Sequence, residues 1–138
     1  MSLAHLFFQL GNVLVLPAWV MLLFFPGNAH LNKLIKATTW LLAAAYISLL
    51  FGGMGDFDSN SFSSLQGLRT LFASDEALAA GWLHYLCFDL LVGYYIVTKG
   101  REQALARWKY TLPLPFTFLF GPMGWLLFAL FNAKRSSR

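Results

Sequence analysis

Residues 77–98 read ALAAGWLHYLCFDLLVGYYIVT, an almost wholly apolar run that carries an imidazole, His84, and a carboxylate, Asp89, near its middle. A helix needs roughly 20 apolar residues to cross a bilayer, so this run is long enough to span one. An aspartate at the centre of a spanning helix costs about 2.5–3.5 kcal/mol, and it persists only where something offsets or uses it. The run therefore predicts a membrane helix that carries the candidate functional residues.

Three further apolar runs of similar length lie at about residues 4–25, 34–52 and 111–131. Of the 138 residues, 58% are hydrophobic and only 12% are charged, whereas soluble domains carry about 25% charged residues. Because a backbone in lipid must satisfy its own hydrogen bonds, long apolar runs there form helices. The sequence predicts an all-α fold, a four-transmembrane-helix bundle that forms a single integral membrane domain over residues 1–138.

The connection between the second and third runs is longer than the others and partly apolar. Apolar residues recur in it at helical spacing, at Phe62, Leu65, Leu68, Leu71 and Phe72. This pattern predicts a short amphipathic helix between helices 2 and 3 that lies on the membrane surface or caps the bundle. The alternative is a semi-apolar loop. Ser74 is predicted to cap the helix that follows, because its hydroxyl can accept a hydrogen bond from the first turn.

Basic residues cluster at the ends of the apolar runs, where topology signals and headgroup contacts are expected. The net charge of +4 therefore indicates a membrane surface as partner, and no nucleic acid. With the N-terminus outside, two connections would lie in the cytoplasm: the one between the first and second runs and the one between the third and fourth. They carry six basic residues, against four on the cytoplasmic side in the opposite orientation. This count favours both termini outside. The three basic residues of the C-terminal tail, Lys134, Arg135 and Arg138, conflict with that orientation.

His84 and Asp89 are five positions apart, which places them about 140° apart around a helix. They do not share a face, so either they meet different neighbours or a ligand wraps around the helix. Tyr85 and Gly93 lie one turn from Asp89 on either side, and are predicted to offer a phenol partner and open space. The alternative is that both ionisable residues only bind polar groups of neighbouring helices and hold the bundle together.

Two prolines, Pro17 and Pro122, interrupt the first and fourth runs at about the depth of the two ionisable residues. A proline inside a helix removes a hydrogen bond and kinks the helix, so these breaks would open a cavity lined by freed carbonyls. The alternative is that glycines such as Gly121 merely allow close helix packing. Aromatic side chains, among them Trp19 and Trp82, are candidates to line a pocket for a long hydrophobic ligand.

Sequence motifs for cofactors and metals are missing from the chain. It contains no glycine-rich nucleotide loop, no nucleophile elbow and no histidine series of the di-iron kind. Asp56 and Asp58 supply too few oxygen ligands for calcium. The single cysteine, Cys87, leaves no internal disulfide and no zinc cluster. We therefore expect no cofactor and no metal.

Five segments carry a family resemblance: Leu16-Pro17-Ala18-Trp19, Phe62-Ser63-Ser64-Leu65-Gln66-Gly67, Leu71-Phe72-Ala73-Ser74, Gly81-Trp82-Leu83-His84-Tyr85-Leu86-Cys87-Phe88-Asp89-Leu90 and Phe120-Gly121-Pro122-Met123-Gly124. With these segments the chain resembles the abscisic acid-deficient 4-like membrane family over nearly its whole length. Plant members of this family are required for making neoxanthin from violaxanthin in chloroplast membranes. The compact chain without a transit segment is more similar to a bacterial or cyanobacterial member, in an inner or thylakoid membrane.

The resemblance implies a hydrophobic isoprenoid or carotenoid ligand and isomerisation of an epoxy end group. That reaction needs an acid at the epoxide oxygen and a base for a carbon-bound proton, without net redox change or cofactor. On this hypothesis a protonated Asp89 is the acid and a neutral His84 is the base. The substrate-binding candidates are Trp82, Tyr85, Gly93, Pro17, Trp19, Gly121 and Pro122.

Two other functions are consistent with the same residues. The protein could bind a carotenoid or lipid without converting it, or assist the assembly of another enzyme, with His84 and Asp89 orienting the ligand or partner helix. It could also be a proton or small-solute relay, for which four helices are few unless the protein forms a homo-oligomer.

Overall fold

The computed structural model describes residues 2–53 and 59–133, and the ordered elements in these ranges are all helical. Seven α-helices follow one another as α1 (Leu3–Phe24), α2 (Leu31–Gly53), α3 (Leu65–Leu71), α4 (Asp75–Glu102), α5 (Trp108–Thr111), α6 (Pro113–Phe120) and α7 (Pro122–Ala133). The predicted helices at 4–25, 34–52 and 77–98 are confirmed as α1, α2 and α4, which are each long and apolar enough to cross a membrane. Asp56, Asp58 and the basic C-terminal tail lie outside the described residues.

Helix α4 is the centre of the molecule and contacts α1, α2, α5, α6 and α7. Its buried side chains are mainly aliphatic, with Leu83, Leu90 and Ile96 fully enclosed. The outward faces of α1 and α2 are also apolar, and Trp40 of α2 is 78% exposed. A helix that is apolar on all sides fits a hydrocarbon surrounding better than water.

The ends of α4 are fixed by side chains. At its start the Ser74 hydroxyl accepts a hydrogen bond from the Ala77 amide at 3.2 Å, which confirms the predicted cap. Near its end Arg101 donates to the Pro26 carbonyl at 2.7 Å, and Arg107 of the following connection donates to the Phe24 carbonyl at 2.8 Å. These guanidinium groups satisfy carbonyls that the end of α1 leaves unpaired. Two of the basic residues at the ends of the apolar runs, Arg101 and Arg107, therefore also tie the helices together.

A seven-residue helix, α3, lies inside the segment predicted to be amphipathic. The Ser64 hydroxyl caps it by accepting from the Gly67 amide at 3.0 Å. The next residue, Phe72, packs its ring on Gly81 of α4, where an added Cβ would come within 2.8 Å of the ring. The short helix is thus attached to α4 through an aromatic contact.

The fourth apolar run does not form the predicted continuous helix over residues 111–131. It is divided into α5, α6 and α7, none of which is long enough to cross a bilayer alone. The backbone breaks at Gly121, whose φ of +21° is unfavourable for other residues. Pro122 follows as the first residue of α7, a position where its missing amide costs nothing. It begins a new helix there and does not kink a continuous one.

Helix α7 turns back along α6, so that residues 108–133 form what we call the Gly121 hairpin. A Cβ added to Gly124 of α7 would collide with the backbone and hydroxyl of Thr117 in α6. At the open end the rings of Trp108 and Phe131 meet edge to face, with centroids 5.3 Å apart. The hairpin therefore enters and leaves at the same end of the molecule.

Candidate functional site

Asp89 lies in the middle of α4 with its side chain turned towards the tip of the Gly121 hairpin. The residue is only 9% exposed, and its Oδ2 atom is buried without a hydrogen-bond partner. Its Oδ1 atom lies where the Cβ of any larger residue at position 121 would fall. Gly121 is thus required both by its backbone conformation and by the closeness of the carboxyl group.

The Tyr85 side chain connects α4 to the end of α6. Its hydroxyl lies 3.1 Å from the Phe118 carbonyl and 3.0 Å from the Leu119 carbonyl, to which it donates. These carbonyls belong to the last turn of α6. They have no amide partner within the helix, because the helix ends at Gly121. The same hydroxyl is within reach of the Asp89 carboxyl group. The predicted phenol neighbour of Asp89 is present.

The predicted open space at Gly93 is wrong, because the Trp19 indole of α1 fills it. A Cβ at Gly93 would lie 2.7 Å from two atoms of that ring. On its other side the Trp19 ring meets Phe118 of α6 edge to face, at a centroid distance of 5.4 Å. We call Trp19, Tyr85, Asp89, Gly93 and Gly121 the Asp89 cluster; it joins α1, α4 and the hairpin.

His84 is not part of this cluster. Its exposed ring lies against Phe88 at a centroid distance of 4.6 Å and against Tyr46 of α2 at 5.7 Å. Helix α2 and the hairpin pack on different parts of α4, so His84 and Asp89 meet different neighbours. The prediction that they do not share a face is confirmed, and the two do not form an acid–base pair.

The remaining sequence candidates lie at the edge of the cluster or outside it. Pro17 is exposed within α1, which continues without a break, and Pro122 is exposed at the start of α7. Trp82 donates from its indole nitrogen to Asn12 at 2.8 Å, and its ring lies 5.2 Å from that of Tyr85. Trp82 therefore adjoins the cluster. Pro122 directly follows Gly121 of the cluster, and the exposed Pro17 does not interrupt α1. The sequence does not predict the pair of carbonyl acceptors at the end of α6, because it predicts a continuous helix there.

The chemistry available to the cluster is that of proton transfer and hydrogen bonding. A buried carboxyl group with a free oxygen, next to a phenol, can donate to or accept from a polar atom of a ligand. Within residues 2–53 and 59–133, no three His, Cys, Asp or Glu side chains come together as potential metal ligands.

Tyr85→Phe tests the link between α4 and the hairpin. We expect it to lower the free energy of unfolding by about 0.5–1.5 kcal/mol, because the partly buried Phe118 carbonyl and the Leu119 carbonyl lose their donor. Thermal unfolding of the detergent-solubilised protein measures the effect. Tyr95→Phe is the matched control, since Tyr95 lies on the same helix with half its surface exposed. Equal stability of the two variants would contradict the role given to Tyr85.

Comparison with known proteins confirms the family resemblance. The family model described as ABA DEFICIENT 4-like matches residues 6–128, a range that includes the whole Asp89 cluster. The protein ABA DEFICIENT 4, chloroplastic, from Arabidopsis thaliana is 25% identical over 132 residues, which cover 89% of this chain and 59% of that relative. The chain thus spans about three fifths of the relative's length. No solved structure matches the chain. Because the family model covers most of the sequence, the chain belongs to the ABA DEFICIENT 4-like family.

Proposed function

We propose that this protein is an integral membrane enzyme that binds the end group of a carotenoid or related isoprenoid at the Asp89 cluster and isomerises it by acid–base chemistry. In this proposal α1, α2 and α4 cross the bilayer, the Gly121 hairpin enters it, and α3 lies at its surface. The lengths and apolar character of the three long helices support the membrane location. The membership of a family whose plant members are required for making neoxanthin supports the class of ligand.

One observation carries the proposal: the Oδ2 atom of Asp89 is buried without a partner. A charged carboxylate in that surrounding is costly, whereas a protonated carboxyl group is neutral and can donate a hydrogen bond. The free oxygen is therefore suited to an acceptor on a ligand, such as an epoxide oxygen. Tyr85 and Gly121 hold the carboxyl group in place from two sides.

A single carboxyl group is sufficient for the reaction. In the proposed step the Asp89 proton goes to the epoxide oxygen as a carbon–oxygen bond breaks. The other carboxyl oxygen then takes the carbon-bound proton, and a new double bond forms. Substrate and product are isomers, and the carboxyl group ends protonated, so no cofactor or oxidant is consumed. His84 takes no part in this step because its ring lies on the α2 side of α4.

The second candidate function is binding without conversion, or assistance to another enzyme. The packing of the Trp19 ring beside Gly93 favours it, since this packing leaves little room next to Asp89. In that function the carboxyl group would orient a polar ligand or a partner helix and transfer no proton.

Membrane lipid is the proposed immediate partner on the exposed apolar faces of α1 and α2. A bacterial inner membrane or a thylakoid membrane is the proposed location. Assembly into a homo-oligomer stays a prediction.

The test compares carotenoid-producing cells with and without this protein. Pigments extracted from the membranes are separated by chromatography, and pigment bound to the purified protein is measured by absorption. A new isomer of an epoxy-carotenoid supports isomerisation, and bound pigment without a new product supports the second function. If neither is found with epoxidised and simpler carotenoids, both proposals are wrong.

His84→Ala separates the two ionisable residues. We expect conversion within about twofold of wild type and a free energy of unfolding within about 0.5 kcal/mol, as is usual for exposed side chains. The reason is that the His84 ring is exposed and lies against Tyr46 and Phe88, away from Asp89. Product formation and expression level are measured together. Loss of conversion at normal expression would mean that the ligand reaches around α4.

A further inference from the structure

A cavity of about 350 Å³ lies between α1 and α4 where both helices begin. Its lining residues are Ala4, His5, Phe8, Asp75, Leu78, Ala79 and Trp82. Cavities of this size lie at the lower end of the range used by small-molecule ligands. The lining is apolar except at one end, where His5 and Asp75 stand, and no part of it overlaps the Asp89 cluster.

The polar end of this cavity is a histidine–carboxylate pair. The Nδ1 atom of His5 lies 3.9 Å from the Asp75 carboxylate and 2.9 Å from the Ser2 hydroxyl. The two side chains of the pair are 61% and 64% exposed. Because these neighbours engage Nδ1, the Nε2 atom is the second hydrogen-bonding atom of the ring and is available to a ligand. The pair suits a neutral hydroxyl group, since the Asp75 charge would repel a phosphate.

The apolar part of the cavity has aromatic walls and a small-residue floor. The rings of Phe8 and Trp82 stand 5.8 Å apart, and Asn12 fixes the Trp82 ring through its indole nitrogen. Ala4 and Ala79 form the buried floor. The outer side chains of Phe8, Leu78 and Trp82 are exposed on the apolar surface of the bundle. A lipid-soluble ring can therefore enter sideways from the bilayer.

The cavity lies on the same face of α4 as the Asp89 cluster. Successive residues of a helix are about 100° apart around its axis. On this count four residues of α4 lie within a sector of about 80°: Asp75, Trp82, Tyr85 and Asp89. Trp82 belongs to the cavity wall, and its ring lies 5.2 Å from the Tyr85 ring of the cluster. The rise of a helix places Asp75 about 21 Å from Asp89 along the axis. The polar end of the cavity and the carboxyl group thus lie on one face of α4, at a separation that an elongated molecule is long enough to span.

We propose that the cavity binds a hydroxylated cyclic end group of an isoprenoid. His5 and Asp75 hydrogen-bond to the ring hydroxyl, and Phe8 and Trp82 pack on the ring. The choice of ligand class rests on the proposed function, while the site and its polar end are independent of the Asp89 chemistry. The protein then holds its ligand at two positions on one face of α4.

The test uses zeaxanthin and β-carotene, which differ only in their ring hydroxyls, with the full chain in lipid nanodiscs. Bound pigment is measured by absorption after separation from free pigment. We expect wild type to bind zeaxanthin about five- to tenfold more tightly than β-carotene, as a net hydrogen bond of ordinary strength would give. His5→Leu is expected to abolish this preference. His30→Leu is the matched control and is expected to keep it, because the exposed His30 lies in the α1–α2 connection, away from the cavity.

A second variant tests the apolar walls without disturbing the core. Leu78→Trp changes a side chain that is exposed at the cavity opening. It is expected to weaken the binding of both pigments about tenfold by blocking entry. Equal affinity of wild type for the two pigments, no binding of either, or an unchanged preference in His5→Leu would overturn the proposal, as would unchanged binding in Leu78→Trp.

Asp89→Asn distinguishes this inference from the proposed function. If the variant loses conversion but keeps the preference for zeaxanthin, the result supports both the proposed function and the cavity site. Retained conversion contradicts only the chemistry assigned to Asp89. Loss of the preference for zeaxanthin in Asp89→Asn would place the hydroxyl at the Asp89 cluster and overturn the assignment to His5 and Asp75.

Discussion

Asp89→Asn is expected to lower the rate of isomerisation at least about 100-fold, because a positioned general acid contributes about 10²–10⁴-fold and an amide cannot replace it. The variant should remain folded, since the amide has nearly the same shape and carries no charge into a buried position where Oδ2 has no partner. Its free energy of unfolding is therefore expected to equal or exceed that of wild type. Product formation in membranes and thermal unfolding in detergent measure the two effects.

Glu102→Gln is the matched control for this change, because it makes the same chemical substitution at the exposed end of the same helix. Glu102 pairs with Lys99 at 3.4 Å on the surface, and such exposed pairs contribute less than about 1 kcal/mol. The control is expected to convert substrate like wild type. A wild-type rate in Asp89→Asn would remove the carboxyl group from the chemistry and leave binding as the function of the cluster.

Gly124→Ala is expected to lower the free energy of unfolding by about 3 kcal/mol, at the upper end of overpacking effects. The added methyl group would collide with the Thr117 backbone and lie 2.6 Å from the Pro113 carbonyl, neither of which can move independently of α6. Displacing α7 would also displace Gly121 from Asp89, so conversion should fall with stability. Thermal unfolding and product formation are measured on the same preparation.

Gly52→Ala is the control for Gly124→Ala. A Cβ at Gly52 would meet no atom of the described residues within 4 Å, and the residue lies in the last turn of α2. Because the added methyl group displaces no neighbour there, the stability of this variant should be within about 0.5 kcal/mol of wild type. If both variants unfolded alike, the close packing of α6 on α7 would not be what holds the hairpin together.

The long helices were predictable from the sequence, whereas the hairpin was not. An uninterrupted apolar run has one stable backbone form in lipid, so α1, α2 and α4 follow from composition alone. The mean apolar character of a run does not reveal a break at two residues such as Gly121 and Pro122. The run that contains them is as apolar as the others. Whether such a glycine–proline pair kinks a helix or reverses it depends on what packs beside it. Here that is Thr117 against Gly124, a tertiary contact.

The candidate site was predictable in part. The periodicity of a helix was enough to place Tyr85 beside Asp89 and to separate His84 from Asp89. The Trp19 indole at Gly93 could not be predicted, because it comes from another helix and its register is set by packing. His5 and Asp75 were missed for the same reason, although a signal existed. The first and third spanning helices of a membrane bundle, here α1 and α4, begin on the same side. Their first residues are therefore potential neighbours.

The reversal at Gly121 also decides at which end of the molecule α7 finishes. Because α7 returns to the end at which α5 began, Ala133 lies at the end of the α1–α2 and α4–α5 connections, opposite to Leu3. With α1, α2 and α4 crossing the bilayer as proposed, Leu3 and Ala133 would lie on opposite sides of it. Of the seven lysines and arginines in the described residues, only Arg69 would then share the side of Leu3. The other six lie at or near the α1–α2 and α4–α5 connections. The positive-inside rule would make that side cytoplasmic, which agrees with the predicted outward N-terminus. With a hairpin in place of a fourth crossing, the same rule would put the end of α7 on the cytoplasmic side, and the orientation of the protein stays a prediction.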